Sequence, residues 1–249
     1  MNEKIRFYEE MASNAHVALN VMQYDGWLLR FAIGYTNRAN SISALYPSTI
    51  DLDHKISYCE GCYKKQNLPC VFKITDQDME LNAALQKRGY EVVTPTDVML
   101  LDLSEQQLSQ EGSCMFWEEP IGEWLTPYFL YEGIMNEDSQ NTFCQMLSKV
   151  QVDTIYCGIL HDGKVVACAS AAIEQGYMLL QNVVVDPQFR GCGFGKMVCS
   201  ALLSKAKEEG AQYSYLQVIK NNEIALNLYA KLGYKKVYSY WYMKKEVIN

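Results

Sequence analysis

The stretch Leu179–Leu203, LLQNVVVDPQFRGCGFGKMVCSALL, decides how the rest of the chain is interpreted. It opens with an apolar, mostly β-branched run that is typical of a strand buried on both faces. Asp186-Pro187 ends that strand, because proline has no N–H to donate to a ladder. Apolar residues then recur at helical spacing from Met197 to Leu202. The stretch therefore predicts a buried strand, a glycine-rich turn and a helix in direct succession.

The turn between this strand and helix has the composition of an anion site. Gly191, Gly193 and Gly195 have no side chains that would keep a ligand away from the backbone. The first turn of the helix adds unpaired N–H groups and the positive end of the helix dipole. Arg190 and Lys196 flank the glycines with positive charge. We therefore expect a phosphate or a diphosphate as the ligand.

Two common phosphate-binding motifs fit this turn poorly. A P-loop needs Ser or Thr after Lys196, where Met197 stands, and a glycine five positions before Gly195. A dinucleotide-binding fold needs an acidic residue at a strand end about twenty positions further on. Glu208 and Glu209 lie instead on the predicted helix. Both motifs are therefore disfavoured.

Two segments of the second half resemble the motifs of one enzyme superfamily. Gln188–Gly195 resembles the (Q/R)-x-x-G-x-G/A signature with which GNAT N-acetyltransferases bind the diphosphate of acetyl-CoA. Further along, NEIALNLYAKLGY over Asn222–Tyr234 resembles the second motif, N-x-x-A-x-x-x-Y-x-x-x-G-[FY]. Two motifs in the expected order and separation are far more specific than a glycine run alone. The resemblance extends from about Cys114 to the end of the chain.

The resemblance implies an α/β (α+β) fold, the GNAT acyl-CoA N-acyltransferase fold, with a mixed central sheet flanked by helices. Asp162-Gly163 and Gln175-Gly176 are turn signals between apolar runs, so they separate three predicted antiparallel strands. The segment 101–112 is polar, which suits a linker. We therefore assign a linker to residues 105–112 and a catalytic domain to residues 113–249.

An internal repeat indicates that residues 1–104 form a degenerate, partial GNAT-like domain. The spacing of Gly89, Tyr90, Val93 and Met99 is repeated in Gly233, Tyr234, Val237 and Met243. The run from Gly26 to Arg38 echoes the run from Gly176 to Arg190, but Arg38-Ala-Asn-Ser replaces the glycine turn. Such a unit is expected to have lost cofactor binding. Coincidence is the alternative, because helix-Gly-Tyr-strand sequences resemble one another.

Hydrophobic periodicity and capping signals predict the elements of this first half. They are a helix over Ile5–Val21, a turn at Tyr24-Asp25-Gly26, a strand over Trp27–Ile33, a helix from an Asp51 cap to Gln66, a strand over Leu68–Ile74, and a helix capped by Thr75 or Asp76 that ends at Gly89. The aromatic residues of this half could line an acceptor pocket, although such residues are usually core.

The resemblance also implies which residues hold the cofactor. The backbone N–H groups of Val183 and Val185 would bond the pantetheine arm and the thioester oxygen, beside a bulge where the central strand splays from its neighbour. The full predicted cofactor-binding set is Val183, Val184, Val185, Gln188, Arg190, Gly191, Cys192, Gly193, Phe194, Gly195, Lys196, Asn222 and Tyr229. Asn222 would cap its helix, bond the cofactor, or do both.

Two catalytic residues are predicted. Tyr229 occupies the tyrosine position of the second motif and could donate a proton to the departing sulfur. Glu174, at a strand end, is the candidate base; Glu118, Glu119, Glu132 or water alone are the alternatives. Cys192 has no histidine near it in sequence, so direct transfer is favoured over an acyl-cysteine intermediate.

Composition limits the other function classes. The 249 residues carry a net charge of −7 without a basic stripe, so nucleic acid is a poor partner and an amine a plausible one. We expect no membrane segment, no metal and a cytoplasmic protein. Cys59-Glu60-Gly61-Cys62 has zinc-like spacing but lacks a second ligand pair, so its cysteines are interpreted as incidental.

We thus predict an N-acetyltransferase that uses acetyl-CoA as cosubstrate and acts on a primary amine of a small molecule or peptide. The alternatives are an acyl-CoA sensor or interaction module without turnover, and a nucleotide-binding protein. Assembly as a homodimer is left open.

Overall fold

The computed structural model describes residues 2–104, 106 and 113–245. The chain forms two compact units. Unit 1 contains Met1–Asp97, Thr142–Val150 and Tyr238–Asn249, and unit 2 contains Val98–Asn141 and Gln151–Val237. The predicted linker at 105–112 lies, apart from Gln106, outside the described residues. The division into domains 1–104 and 113–249 stays a prediction, and the compact units differ from it at residues 98–104, 142–150 and 238–249.

The elements follow in chain order. The first half contains α1 (Glu3–Ala15), β1 (Asn20–Tyr24), β2 (Trp27–Phe31), β3 (Ile42–Ala44), α2 (Leu52–Lys65), β4 (Val71–Thr75), α3 (Met79–Lys87) and β5 (Glu91–Asp102). The second half contains β6 (Cys114–Trp117), α4 (Gly122–Glu132), α5 (Glu137–Leu147), β7 (Asp153–His161), β8 (Lys164–Glu174), β9 (Tyr177–Val185), a 3₁₀ turn (Pro187–Phe189), α6 (Phe194–Glu208), β10 (Tyr213–Ile219), α7 (Glu223–Lys231) and β11 (Lys235–Lys244).

Each unit contains a mixed sheet. In unit 1 the strand order is β1-β2-β3-β4-β11, with β3 and β4 parallel and the other pairs antiparallel. In unit 2 the order is β10-β9-β8-β7-β6, with β9 and β10 parallel and the other pairs antiparallel. The predicted α/β class with a mixed sheet flanked by helices is confirmed. The hairpin turns predicted at Asp162-Gly163 and Gln175-Gly176 are confirmed as well, and all four residues have positive φ.

Two helix boundaries predicted in the first half were wrong. The first helix ends at Ala15 and not at Val21, because Asn20–Tyr24 pairs with β2 as a hairpin arm and Val21 lies opposite Arg30. Neither Thr75 nor Asp76 caps α3, which begins after Asp78. The Asp78 carboxylate instead accepts hydrogen bonds from the N–H and hydroxyl of Thr75.

The repeated segments end helices in the same way but supply strands to different cores. Gly89 and Gly233 both follow helix ends with φ near +82° and +93°, a conformation that favours glycine. Met99, in the first copy, lies in the core of unit 2, whereas Met243, in the second copy, lies in the core of unit 1. The strand after the first copy, β5, therefore contributes to unit 2, and the strand after the second copy, β11, contributes to unit 1.

The described part of the chain lacks two kinds of feature. No helix there has the length and apolarity needed to cross a bilayer. No three His, Cys, Asp or Glu side chains there are grouped so that they could hold a metal ion. Cys59 and Cys62 lie on α2, and Cys59 is buried in the core of unit 1, where burial raises the pKa of its thiol to about 12.

Candidate active site

The centre of unit 2 is a bulge in β9. The register between β8 and β9 shifts between Cys168 and Ser170, and Asn182 has a left-handed backbone conformation with φ of 56°. The Asn182 side chain donates to Ser170 Oγ at 2.8 Å and accepts from the Tyr128 hydroxyl at 3.3 Å. Asparagine tolerates this conformation better than most residues. The bulge is therefore fixed by both its backbone and its side chain.

Beyond the bulge, β9 leaves its parallel neighbour. The pairing with β10 ends at Leu179 and Tyr215, six residues before the end of β9. On the other edge, the Asp186 N–H donates to the Val166 carbonyl at 2.8 Å. Because N–H groups alternate between the two edges of a strand, the N–H of Val184 points to β8 and those of Val183 and Val185 point to the splayed edge. Two backbone donors thus line the gap between β9 and β10.

The loop after β9 is shaped by its own hydrogen bonds. The Asp186 carboxylate accepts from the Gln188 N–H at 2.9 Å, and the Cys192 N–H donates to the Phe189 carbonyl at 3.3 Å. Gly191 and Gly193 have φ of 80° and 90°, and Gly193 is the N-cap of α6. A glycine N-cap has no side chain to accept from the first N–H groups of the helix, so these remain available to a ligand.

The three glycines of the turn serve different purposes. A Cβ added at Gly191 or Gly193 meets no atom within 4 Å, so the space beside both is open. A Cβ added at Gly195 meets Val185 Cγ2 at 3.4 Å and Leu228 Cδ2 at 3.5 Å. Gly195 therefore faces protein, with room for a methyl group at ordinary contact distance, while Gly191 and Gly193 border the open cradle.

The cradle carries positive charge at its rim. Arg190 and Lys196 are exposed, as are Gln188 and Cys192. Among the described residues, neither Arg190 nor Lys196 forms an ion pair. The Cys192 thiol points back to the Arg190 carbonyl at 3.8 Å. The cradle therefore suits an anion, and the Cys192 thiol contacts a backbone carbonyl and not a base.

An aromatic group that the sequence did not predict supports this loop. His161, at the end of β7, has its ring centroid 5.2 Å from that of Phe189 and 5.3 Å from that of Phe194. The two phenylalanines meet edge to face at 5.9 Å. The β7–β8 hairpin thus packs against both ends of the turn, through contacts between residues more than 25 positions apart.

Tyr229 lies on α7 with its side chain largely buried in the core of unit 2. Its ring meets the Tyr234 ring edge to face at 5.9 Å, and its hydroxyl makes no hydrogen bond to another described residue. Burial, with a smaller contribution from Cys199, raises the pKa of the Tyr229 phenol well above its usual value of 10. The phenol therefore keeps its proton at neutral pH and can act as a donor. Asn222 caps α7, with its side-chain oxygen accepting from the Ala225 N–H at 3.1 Å.

Helix α4 contributes an aromatic cluster to the face of the sheet beside the bulge. Trp124 is fully buried, stacks on Tyr128 at 4.8 Å, and its indole N–H lies 3.1 Å from the Cys157 carbonyl and 3.2 Å from the Ala169 carbonyl. Ala169 is the residue that the register shift leaves opposite the bulge. The aromatic residues of α4 were visible in the sequence, but nothing in their spacing indicated that they contact this bulge.

Glu174 is not brought to this site. It pairs with Tyr177 at the opposite end of β9, five residues from Asn182, which corresponds to about 17 Å along the strand. Glu118, Glu119 and Glu132 are exposed, the first two just after β6 and the third at the end of α4. Val183, Val185, the glycine turn and Tyr229 are all in unit 2.

Comparisons with known proteins agree with this geometry. A family model described as "Probable histone acetyltransferase Rv0428c C-terminal" matches residues 2–243. The chain belongs to this family. It is also similar to the uncharacterized N-acetyltransferase YobR of Bacillus subtilis, with 28% identity over 98% of this chain and 99% of that protein. A shorter match, 40% identical over 58 residues, covers 23% of this chain and 39% of the ribosomal protein bS18-alanine N-acetyltransferase of Haemophilus influenzae.

Solved structures share the fold. A GCN5-related N-acetyltransferase from Kribbella flavida superposes with a TM-score of 0.71 at 14% identity, covering 96% of this chain and 95% of that one. A tandem GNAT protein from the clavulanic acid biosynthesis pathway superposes with a TM-score of 0.65 at 15% identity, covering 78% and 69%. The chain is thus an acetyltransferase of the GNAT superfamily.

Proposed function

We propose that this GNAT enzyme transfers the acetyl group of acetyl-CoA directly to a primary amine while both substrates are bound. The observation that carries the proposal is the continuous row of backbone donors in unit 2. It begins at the splayed edge of β9, with Val183 and Val185, and continues through the open glycine turn to the first residues of α6. An elongated ligand with a diphosphate at one end and a thioester at the other matches such a row.

The proposed cofactor contacts follow the order of the chain. The N–H groups of Gly191, Gly193 and the first turn of α6 hold the diphosphate, with help from the dipole of that helix. Arg190 and Lys196 add fixed positive charge, and Gln188 adds an exposed amide. The pantetheine arm lies along β9, where Val185 N–H bonds an amide oxygen and Val183 N–H faces the thioester oxygen.

The reaction then needs little further chemistry. The neutral amine attacks the thioester carbon. The carbonyl oxygen of the thioester then becomes an oxyanion near the Val183 N–H. The C–S bond breaks, the amine nitrogen loses a proton to water, and the departing sulfur takes a proton from the Tyr229 hydroxyl. The phenol recovers its proton from solvent. Holding the two reactants together supplies much of the acceleration, so we assign no side-chain base.

Amine-dependent thiol release tests this proposal. Purified full-length chain is mixed with acetyl-CoA and a panel of polyamines, amino acids, aminoglycosides and peptides, and free CoA is measured. Release that depends on one class of amine, with a mass gain of one acetyl group on that amine, supports transfer. Binding of acetyl-CoA without amine-dependent release across the panel contradicts it.

A further inference from the structure

Helix α4 places three aromatic side chains in one row on the sheet of unit 2. Trp124, Tyr128 and Tyr131 are four and three residues apart, so they lie on the same face of the helix. The helix packs on β7, β8 and β9. Each of the three side chains donates a hydrogen bond to the sheet. The row therefore ties α4 to the strands that carry the candidate site.

Trp124 anchors the row at the level of the bulge. Its side chain is fully buried, and its indole N–H reaches the carbonyls of Cys157 on β7 and Ala169 on β8. Because Ala169 lies opposite the bulge of β9, this contact fixes the position of α4 along that strand.

One turn further along α4, Tyr128 reaches the bulge itself. Its buried hydroxyl donates to the side-chain oxygen of Asn182 at 3.3 Å. The N–H of Val183 belongs to the planar peptide group that follows Asn182, so the backbone angles of Asn182 set the direction of this N–H. A contact that holds Asn182 therefore also aims the donor assigned to the thioester oxygen.

Tyr131 reaches the other end of the donor segment. Its hydroxyl donates to the Val165 carbonyl at 2.7 Å and lies within hydrogen-bonding reach of the Asp186 carboxylate. Partial burial and this carboxylate raise the pKa of the Tyr131 phenol to about 12, so it keeps its proton as a donor. Asp186 directly follows Val185 and accepts from the Gln188 N–H at 2.9 Å. Tyr131 thus holds the residue that connects β9 to the glycine turn.

The two hydroxyls bracket the strand segment that carries the proposed backbone donors. We propose that Tyr128 and Tyr131 are positioning residues, each for a different part of acetyl-CoA. Tyr128 acts through Asn182 and aims the Val183 N–H at the thioester. Tyr131 acts through Asp186 and holds the loop that binds the diphosphate. This inference rests on the placement of acetyl-CoA in the proposed function.

Two ligands that share the thioester arm separate these roles. Acetyl-CoA and acetyl-pantetheine carry the same acetyl thioester, but acetyl-pantetheine lacks the diphosphate and the adenosine. Binding of each ligand to the full-length chain is measured by calorimetry without an amine, so the result does not depend on turnover. The fitted stoichiometry gives the folded fraction of each variant, so a loss of fold is not mistaken for a loss of affinity.

The two phenylalanine variants should differ in which ligand they affect. Tyr131→Phe should weaken acetyl-CoA binding about fivefold, as expected for one hydrogen bond, and leave acetyl-pantetheine within about twofold of the wild type. Tyr128→Phe should weaken both ligands by the same factor of about five, because both carry the thioester. Tyr234→Phe also removes one buried hydroxyl from unit 2, but away from α4, and should leave both affinities within about twofold.

Three results would each overturn the positioning roles. They are equal losses for the two ligands in Tyr131→Phe, a loss confined to acetyl-CoA in Tyr128→Phe, and acetyl-CoA affinity within about twofold of the wild type in either variant. Failure of the wild-type chain to bind acetyl-CoA would instead overturn the proposed function, and this inference with it.

Discussion

Removal of the Tyr229 hydroxyl should slow acetyl transfer without harming the fold. The Phe variant keeps the ring that packs on Tyr234, and the hydroxyl that it loses has no hydrogen-bond partner among the described residues. Its melting temperature should therefore stay within a few degrees of the wild type, since about 1 kcal/mol shifts the midpoint by about 2–4 °C at this chain length.

The size of the rate effect follows from the pKa of the phenol. General acid catalysis contributes roughly 10²–10⁴-fold. Burial raises the pKa of Tyr229 well above 10, whereas a thiol has a pKa of about 8.5, so proton transfer from the phenol to the departing thiolate is uphill. We therefore expect an effect at the low end of this range: Tyr229→Phe should lower kcat by about a hundredfold, which raises the activation free energy by about 2.7 kcal/mol. The KM for acetyl-CoA should change little.

Tyr234→Phe is the matched control. Tyr234 is a second buried tyrosine of the same core, and its hydroxyl lies 2.6 Å from Ser214 Oγ. The Phe variant loses this hydrogen bond and should lose about 1 kcal/mol of unfolding free energy. Its kcat should remain within about threefold of the wild type.

The assay is steady-state release of CoA from acetyl-CoA with the best amine of the panel. A Tyr229→Phe enzyme that keeps kcat within about threefold of the wild type would refute the assignment of Tyr229 as the acid. Equal losses of kcat in the Tyr229 and Tyr234 variants would refute it too, because the effect would then be one of packing.

Three further changes test the remaining parts of the site and of unit 1. Gly193→Ala must place a side chain at φ of 90° beside the open cradle and should weaken CoA binding by about tenfold or more. In Gly195→Ala the added methyl group meets only ordinary contacts, so this control should bind CoA within about threefold of the wild type. Calorimetry measures both affinities. Asn182→Ala should cost about 1–2 kcal/mol of unfolding free energy and raise the KM for acetyl-CoA, and Asn182→Gly should recover much of the stability, because glycine adopts positive φ freely. In unit 1, the Asp25 carboxylate accepts hydrogen bonds from the N–H groups of Thr49 and Ile50. Asp25→Asn should lower the unfolding midpoint at about pH 7, and this loss should shrink as the pH falls below the usual aspartate value of about 3.8, because the folded pKa of Asp25 lies well below that value and its stabilisation disappears progressively toward the folded pKa. A midpoint loss that does not shrink between about pH 4 and about pH 2 would count against the stabilising role of the Asp25 carboxylate.

Local features of unit 2 were predictable because each depends on neighbouring residues. The glycine turn, the Asp162-Gly163 hairpin and the stop at Gly233 all follow from backbone preferences that a few residues express. The motif around Tyr229 also placed that residue on the correct helix.

Features made by distant residues were not predictable. Asn182 is held by Ser170 and Tyr128, and Asp25 binds N–H groups 24 and 25 positions further along the chain. The apolar pattern of a strand indicates burial but not the sheet that it joins, so the exchange of Met99 and Met243 between the two cores could not be seen. The same limit applies to Glu174, whose distance from the bulge depends on strand register.

Hydrogen exchange of backbone amides, measured with and without CoA, tests the central assignment most directly. Bound CoA should slow exchange at Val183, Val185 and residues 191–196 and leave exchange at residues 45–51 of unit 1, between β3 and α2, unchanged. Slowing confined to residues 45–51, or no slowing along β9 and the glycine turn at saturating CoA, would contradict it.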